Sequence, residues 1–195
     1  MSQIVIDNAA AISLDRELTI ASSTSHNRQL KYFRKGPIQT VAEVQMNVVV
    51  RSTYQSLLAT ISQNILGPYQ ITFPEEVIGV GVASGDEVTV AVAQSGRVIN
   101  VTGNTLTTPI RAGSYVQIPG FTQVFTVTSD VVIDGAGNGV IQIDYPLPST
   151  SATGMVNAGT DCTLQMHMIE RPRASFGPTG LVNFDGSFVF AEDMN

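Results

Sequence analysis

Only one prominent stretch of this chain, residues 51–65, repeats its apolar side chains at three- and four-residue spacing. There Tyr54, Leu57, Leu58, Ile61 and Ile65 share a face, with Gln55, Ser56, Thr60 and Gln63 largely opposite. Ser52 or Thr53 can cap the start and Gly67-Pro68 can stop it, which predicts a helix over 52–66. Elsewhere valine, isoleucine and threonine fill short runs cut by 17 glycines and 9 prolines, the texture of a mainly β protein. A lone helix among so many strands argues against a doubly wound α/β fold and for a helix that covers a sheet.

The runs suggest a plan. Val44, Met46, Val48 and Val50 alternate with Glu43, Gln45, Asn47 and Val49, the period of a strand with one buried face. Residues 69–73 read as a strand after the helix, and residues 14–20 and 29–34 as strands before it, separated by a polar loop at 21–27. Between 85 and 159 lie five short apolar runs, 88–92, 98–101, 115–118, 124–128 and 140–143, which suit a small barrel or sandwich. Residues 163–170 and 187–192 alternate again, Phe188 and Phe190 against Ser187, Val189 and Ala191, as strands that return to the first sheet.

The expected fold is mainly β, a β-sandwich or split barrel with one packed α-helix and an inserted small β-barrel or sandwich module. Residues 1–84 plus 160–195 would form the core and residues 85–159 the insert. Residues 171–180, with two prolines and two glycines, are expected as a flexible, solvated loop; the alternative is that its two arginines meet an acidic neighbour.

Ten basic against sixteen acidic residues give a net charge of −6, which disfavours direct binding of DNA or an anionic membrane. Only 13% of residues are charged and 43% are hydrophobic, so the surface must display many uncharged polar and apolar groups, a hint of assembly. At 195 residues a core can form without covalent staples. One cysteine and two histidines leave no internal disulfide and no histidine-rich metal centre. The start lacks a basic segment followed by a long apolar run, and no apolar run is long enough to span a bilayer, so the chain is expected to be soluble where it is made.

Chemistry is sparse. No serine sits in a GxSxG elbow. Cys162 and His167 are five residues apart on an expected strand, hence on opposite faces and about 16 Å apart, too far for a thiol and its base. His26 falls in a Ser/Thr/Asn-rich loop that suits turn hydrogen bonding. Asp130, Asp134, Asn138 and Asp144 surround a glycine-rich loop without the spacing of a calcium hand, and a hairpin turn accounts for them better. Residues 78–85 carry GxGxxxG rather than a nucleotide fingerprint and read as a flexible joint between core and insert. Glu75-Glu76 and Asp86-Glu87 read as solubilising or rim charges, and the Asn100-Val-Thr102 triplet is too short a motif to weigh. The expectation is therefore no catalytic, cofactor-binding or metal site, and no enzyme activity.

Ile110-Arg-Ala-Gly-Ser-Tyr-Val-Gln-Ile-Pro-Gly120, Val124-Phe-Thr-Val-Thr-Ser-Asp130, Asp134-Gly-Ala-Gly-Asn-Gly139 and Ile143-Asp-Tyr-Pro-Leu147 resemble the inserted β module of the bacteriophage distal tail and baseplate hub (tail-tip) structural proteins. Gly186-Ser-Phe-Val-Phe-Ala-Glu192 is similar to that family's closing strand, and the strand and helix at 44–65 match its ring-forming core by pattern. The resemblance implies a virion component of the distal tail or baseplate, assembled in the host cytoplasm. It implies a homo-oligomeric ring of six that continues the tail tube and anchors tip proteins. Its partners would be copies of itself, the tail tube protein, the baseplate hub and the tape-measure protein. DNA would only pass through the lumen, and no membrane would be involved. The alternative is a peripheral baseplate or receptor/carbohydrate-binding module, which the absence of tryptophan weakens because sugar platforms lean on aromatic faces.

Overall fold

The computed structural model describes residues 3–5, 9–24, 30–63 and 68–192. The chain is mainly β, with one helix of substantial length, Arg51–Gln63. His26, Ile65 and Gly67, on which expectations were placed, lie outside the described residues.

A six-stranded sheet runs in the order Gln3–Val5, Tyr69–Thr72, Leu164–Glu170, Phe188–Glu192, Leu30–Met46, Ala9–Thr24. The first pair is parallel and the others antiparallel. Strands distant in sequence thus sit side by side, and both late strands return to the sheet of the first half. Ala42, Val44, Tyr69, Ile71, Leu164, Met166, Phe188 and Phe190 form its core. The helix adds Ile61 and the half-buried Leu57 to that core. On the same apolar stripe, Tyr54 and Leu58 pack instead on Val49, Val182 and Phe184. The Tyr69 hydroxyl donates to the Ile61 carbonyl at 3.2 Å and ties the helix to the sheet.

A second core is built from residues within 88–158. Val88, Val90, Ile99, Val101 and Ile141 point in from a four-stranded sheet ordered Asn138–Gln142, Val98–Gly103, Val88–Val90, Gly154–Met155. Val116, Phe125 and Ala158 come from a three-stranded sheet ordered Asn157–Ala158, Tyr115–Gln117, Phe125–Thr126. The alternation in Val98–Gly103, with Ile99 and Val101 buried between exposed neighbours, is what a strand with one wet face requires. Each of the five runs expected here contains a strand, and the two-residue strands at 154–155 and 157–158 are additions too short to leave a periodic signal.

Several expectations need correction. The alternation through Val50 breaks at residues 47–48, where the strand ends at Met46 and the chain enters another sheet. Val49 is therefore buried, while Val48 and Val50 are about half exposed, the reverse of the phase expected. The polar loop is shorter than its composition suggested, because Ala21 to Thr24 pair with Phe33 to Leu30. Residues 171–180 are not a loop throughout: Arg173–Phe176 pairs with Leu181–Asp185 as a hairpin, and the second strand of that hairpin pairs with Val49–Val50. Pro172 stands just before the first strand and Pro178 in the turn, where neither has to donate to a ladder. Arg173 and Asp185 are register partners on the two strands of that hairpin.

The stretch 78–85 is packed rather than loose. A side chain at Gly159 (φ +50°) would collide with the carbonyls of Gly79 and Val80, and one at Gly81 with Thr160 and Asp161. The Val82 amide donates to the Asp161 carboxylate at 2.7 Å. Glycines in both passing segments thus let two backbones touch.

Candidate interaction surface

The outward face of the four-stranded sheet is defined by its register. Val98, Asn100 and Thr102 stand opposite Gln142, Val140 and Asn138, and Thr89 stands opposite both Thr102 and Met155. Val98, Val140 and Met155 are exposed large apolar side chains, and none of these eight residues is charged. The face is therefore a patch of amides, hydroxyls and methyl groups, cheap to desolvate compared with a charged surface.

Part of this face lines a concavity of about 610 Å³, where Asn100, Asn138 and Val140 meet Val92, Gln94 and one carboxylate, Asp134. Its amides are already engaged. The Gln94 side chain donates to the Asn100 carbonyl at 2.6 Å and accepts from the Asn100 backbone and side-chain amides at 2.8 and 3.0 Å. A side chain here takes the place of a neighbouring strand along an open ladder. Gln94 is held in turn by Ser151, which accepts from its backbone amide at 3.0 Å and donates back to its carbonyl at 2.8 Å.

A second apolar patch lies on the small sheet. Exposed Val50 and Leu181 are register partners, and Phe176, 59% exposed, stacks edge-on against Tyr54 at 5.5 Å between ring centres. The Arg51 guanidinium lies 5.9 Å from the Phe176 ring centre, a cation placed over an aromatic face.

The polar residues singled out from the sequence are dispersed. Asp134 organises a turn, accepting from the Ala136 and Asn138 amides at 2.9 and 2.8 Å, with Gly137 at φ +81°. Asp130 accepts from the Ala112 amide and from Arg111, each at 2.8 Å, and those two donors hold its carboxyl below the ordinary range. Asp144 accepts from the Thr126 amide at 3.1 Å. Asp130, Asp134 and Asp144 thus each hold a different segment, and among the described residues no group of three or more acidic, histidine or cysteine side chains could hold a metal ion.

Cys162 is fully buried, its sulfur 3.5 and 3.4 Å from the Tyr115 and Asn157 carbonyls. Desolvation, reinforced by neighbouring Asp161, pushes the thiol up to about 12, so it is a poor nucleophile. His167 is only partly buried, further along the adjoining strand and paired in register with Ala191. Glu75, Glu76 and Glu87 are exposed, but Asp86 is buried, a correction to its reading as a solubilising charge. It accepts from the Thr107 hydroxyl and from the Thr107 amide at 2.5 Å, bonds that lower its pKa.

Two features escaped the sequence reading. Glu192 is buried at 1% exposure at the end of the strand Phe188–Glu192. The signal was present, since period two puts Glu192 on the same side as Phe188 and Phe190. The Gln94–Asn100–Ser151 clamp had none, because it joins residues up to 57 positions apart. Comparison with models of protein families gives no match, and no curated protein sequence matches the chain.

Proposed function

We propose that this chain is a structural subunit of a phage distal tail or baseplate, which forms a homo-oligomeric ring, of six copies, that continues the tail tube and anchors tip proteins. The observation that carries the reading is the uncharged outward face of the four-stranded sheet, formed by Val98, Asn100, Thr102, Asn138, Val140 and Gln142. Such a face costs little to bury against another protein and offers little to a charged small substrate. The wording of residues 110–147, which supplies the resemblance, falls on the strands and turns of the same module. An acidic balance of −6 suits a wall past which DNA slides, because carboxylates repel phosphates.

The glycan-binding alternative finds less support. The described lining of the concavity holds no aromatic side chain to stack on a sugar ring, and its Gln94 and Asn100 amides are spent on each other.

Native mass measurement across a concentration series, with negative-stain imaging, tests the reading. Closed particles near 124 kDa, about six times the 20.7 kDa chain, are the expected result. A monomer at every concentration, together with retention on a glycan array, would favour the binding module instead.

A further inference from the structure

The basic charge of this chain is concentrated in one place. Residues 16–40 hold five of the ten basic residues, Arg16, Arg28, Lys31, Arg34 and Lys35, and one of the sixteen acidic ones, Glu17. That stretch carries +4 and leaves −10 for the rest of the chain.

The described residues of that stretch, 16–24 and 30–40, belong to the part of the six-stranded sheet that outruns its neighbours. Leu30–Met46 pairs with Phe188–Glu192 only through Val41 to Val44. From Thr40 back to Leu30, every described strand pairing is with the other limb of the hairpin, Arg16 through Thr24. A register shift between Leu18 and Ile20 leaves Lys35 to Pro37 opposite Thr19 alone, so the nine residues of the limb Arg16–Thr24 set the length of the ribbon at about 30 Å. Its outer limb, Ala9–Thr24, is also the last strand in the sheet order, and the only charged residues in it are Asp15, Arg16 and Glu17. Register shifts at Ala9/Ala11 and Leu18/Ile20 are the guards this edge carries; with so few charges and no proline it lacks the others.

We propose that this hairpin is a docking arm whose occupant is the acidic body of a second copy of the chain. The proposal deepens the assembly reading above and rests on its claim that copies associate. Charge complementarity selects the occupant: an arm of +4 and a body of −10 attract between molecules, and the attraction steers each arm away from other arms and toward another body. A nucleic acid fits the arm's charge but not its setting, because phosphates that reach the arm approach a body that repels them.

The test compares the full chain with a Lys31→Gln/Arg34→Gln/Lys35→Gln variant by sedimentation velocity at 50 and 500 mM NaCl. A parallel titration uses a fluorescent 20-base-pair DNA duplex. The wild type is expected to self-associate at 50 mM salt and to lose at least tenfold in apparent association constant at 500 mM. The variant should show a comparable loss already at 50 mM, while melting within a few degrees of the wild type. A Lys31→Glu/Arg34→Glu/Lys35→Glu variant, self-associating poorly alone, should still co-sediment with wild type, because its acidic body remains intact. Assembly that both variants leave unchanged overturns the arm while the ring reading stands. A wild type that is monomeric throughout overturns both. Duplex binding that the variants abolish, with self-association unaltered, replaces the second copy with a nucleic acid.

Discussion

The carboxyl group of Glu192 accepts a hydrogen bond from the backbone amide of Val124 at 2.8 Å, deep in the protein. Its other oxygen accepts from the Thr40 amide at 3.2 Å, and all three residues are at most 1% exposed. One side chain on the closing strand thus bridges the long hairpin and the segment between Tyr115–Gln117 and Phe125–Thr126. Val124 belongs to the core beneath the six-stranded sheet, although the next residue, Phe125, belongs to the other core.

Removing that carboxyl strands two buried amides. Glu192→Ala is expected to destabilise by about 3 kcal/mol or more, and Glu192→Gln by less, since it keeps one acceptor oxygen. Urea melts followed by circular dichroism check the ranking; equal stability of the wild type and the alanine variant would show that the bridge is energetically idle.

Gly159 is expected to tolerate no side chain. Gly159→Ala places a methyl group against the Gly79 and Val80 carbonyls, and at φ +50° the backbone itself resists the change. A loss of several kcal/mol, or failure to accumulate as soluble protein, is expected. Gly113→Ala is the control: it too has positive φ but nothing within 4 Å, so only about 1 kcal/mol of conformational strain should appear.

The thiol of Cys162 should be silent in the folded chain. With its pKa raised to about 12, it is expected to resist Ellman's reagent at pH 8 until the protein unfolds. The same shift makes stability fall with pH. The unfolded thiol releases its proton near pH 9 while the folded one keeps it, so stability is full below that point and declines progressively toward about pH 12. Cys162→Ala should flatten that alkaline slope in melts at stepped pH, and an unchanged slope would refute the assignment.

Asp86 should act in the opposite pH range. Hydrogen bonds from Thr107 lower its pKa, so its contribution is present at neutral pH and is lost as acid protonates it below the ordinary carboxyl range. In NMR titrations the Thr107 amide is expected to track this carboxyl, with a midpoint below that of an exposed aspartate. Asp86→Asn should remove the transition.

Much of the fold was legible in the residues because it rests on local periodicity. The 3.6-residue stripe through Tyr54 and Ile61 specified the helix, and the alternation in Val98–Gly103 specified a strand with one buried face, whatever it pairs with. Turn chemistry was equally local, as Asp134 and Gly137 show. Scarcity of charge, too, is a property of the sequence alone.

What tertiary structure decided was every relation between distant residues. Period two says that Glu192 shares a face with Phe188 and Phe190, but only folding brings Thr40 and Val124 to its oxygens. Val48 and Val50 lost their expected burial because the chain changes sheets after Met46, a switch set by the hairpin at 173–185 rather than by neighbouring residues. That hairpin survives its prolines because they fall outside its ladder, a matter of register that composition does not encode. The ribbon of residues 16–24 and 30–40 follows the same division: its charge was written in the sequence, and its reach beyond the sheet exists only because Phe188–Glu192 stops pairing at Val41.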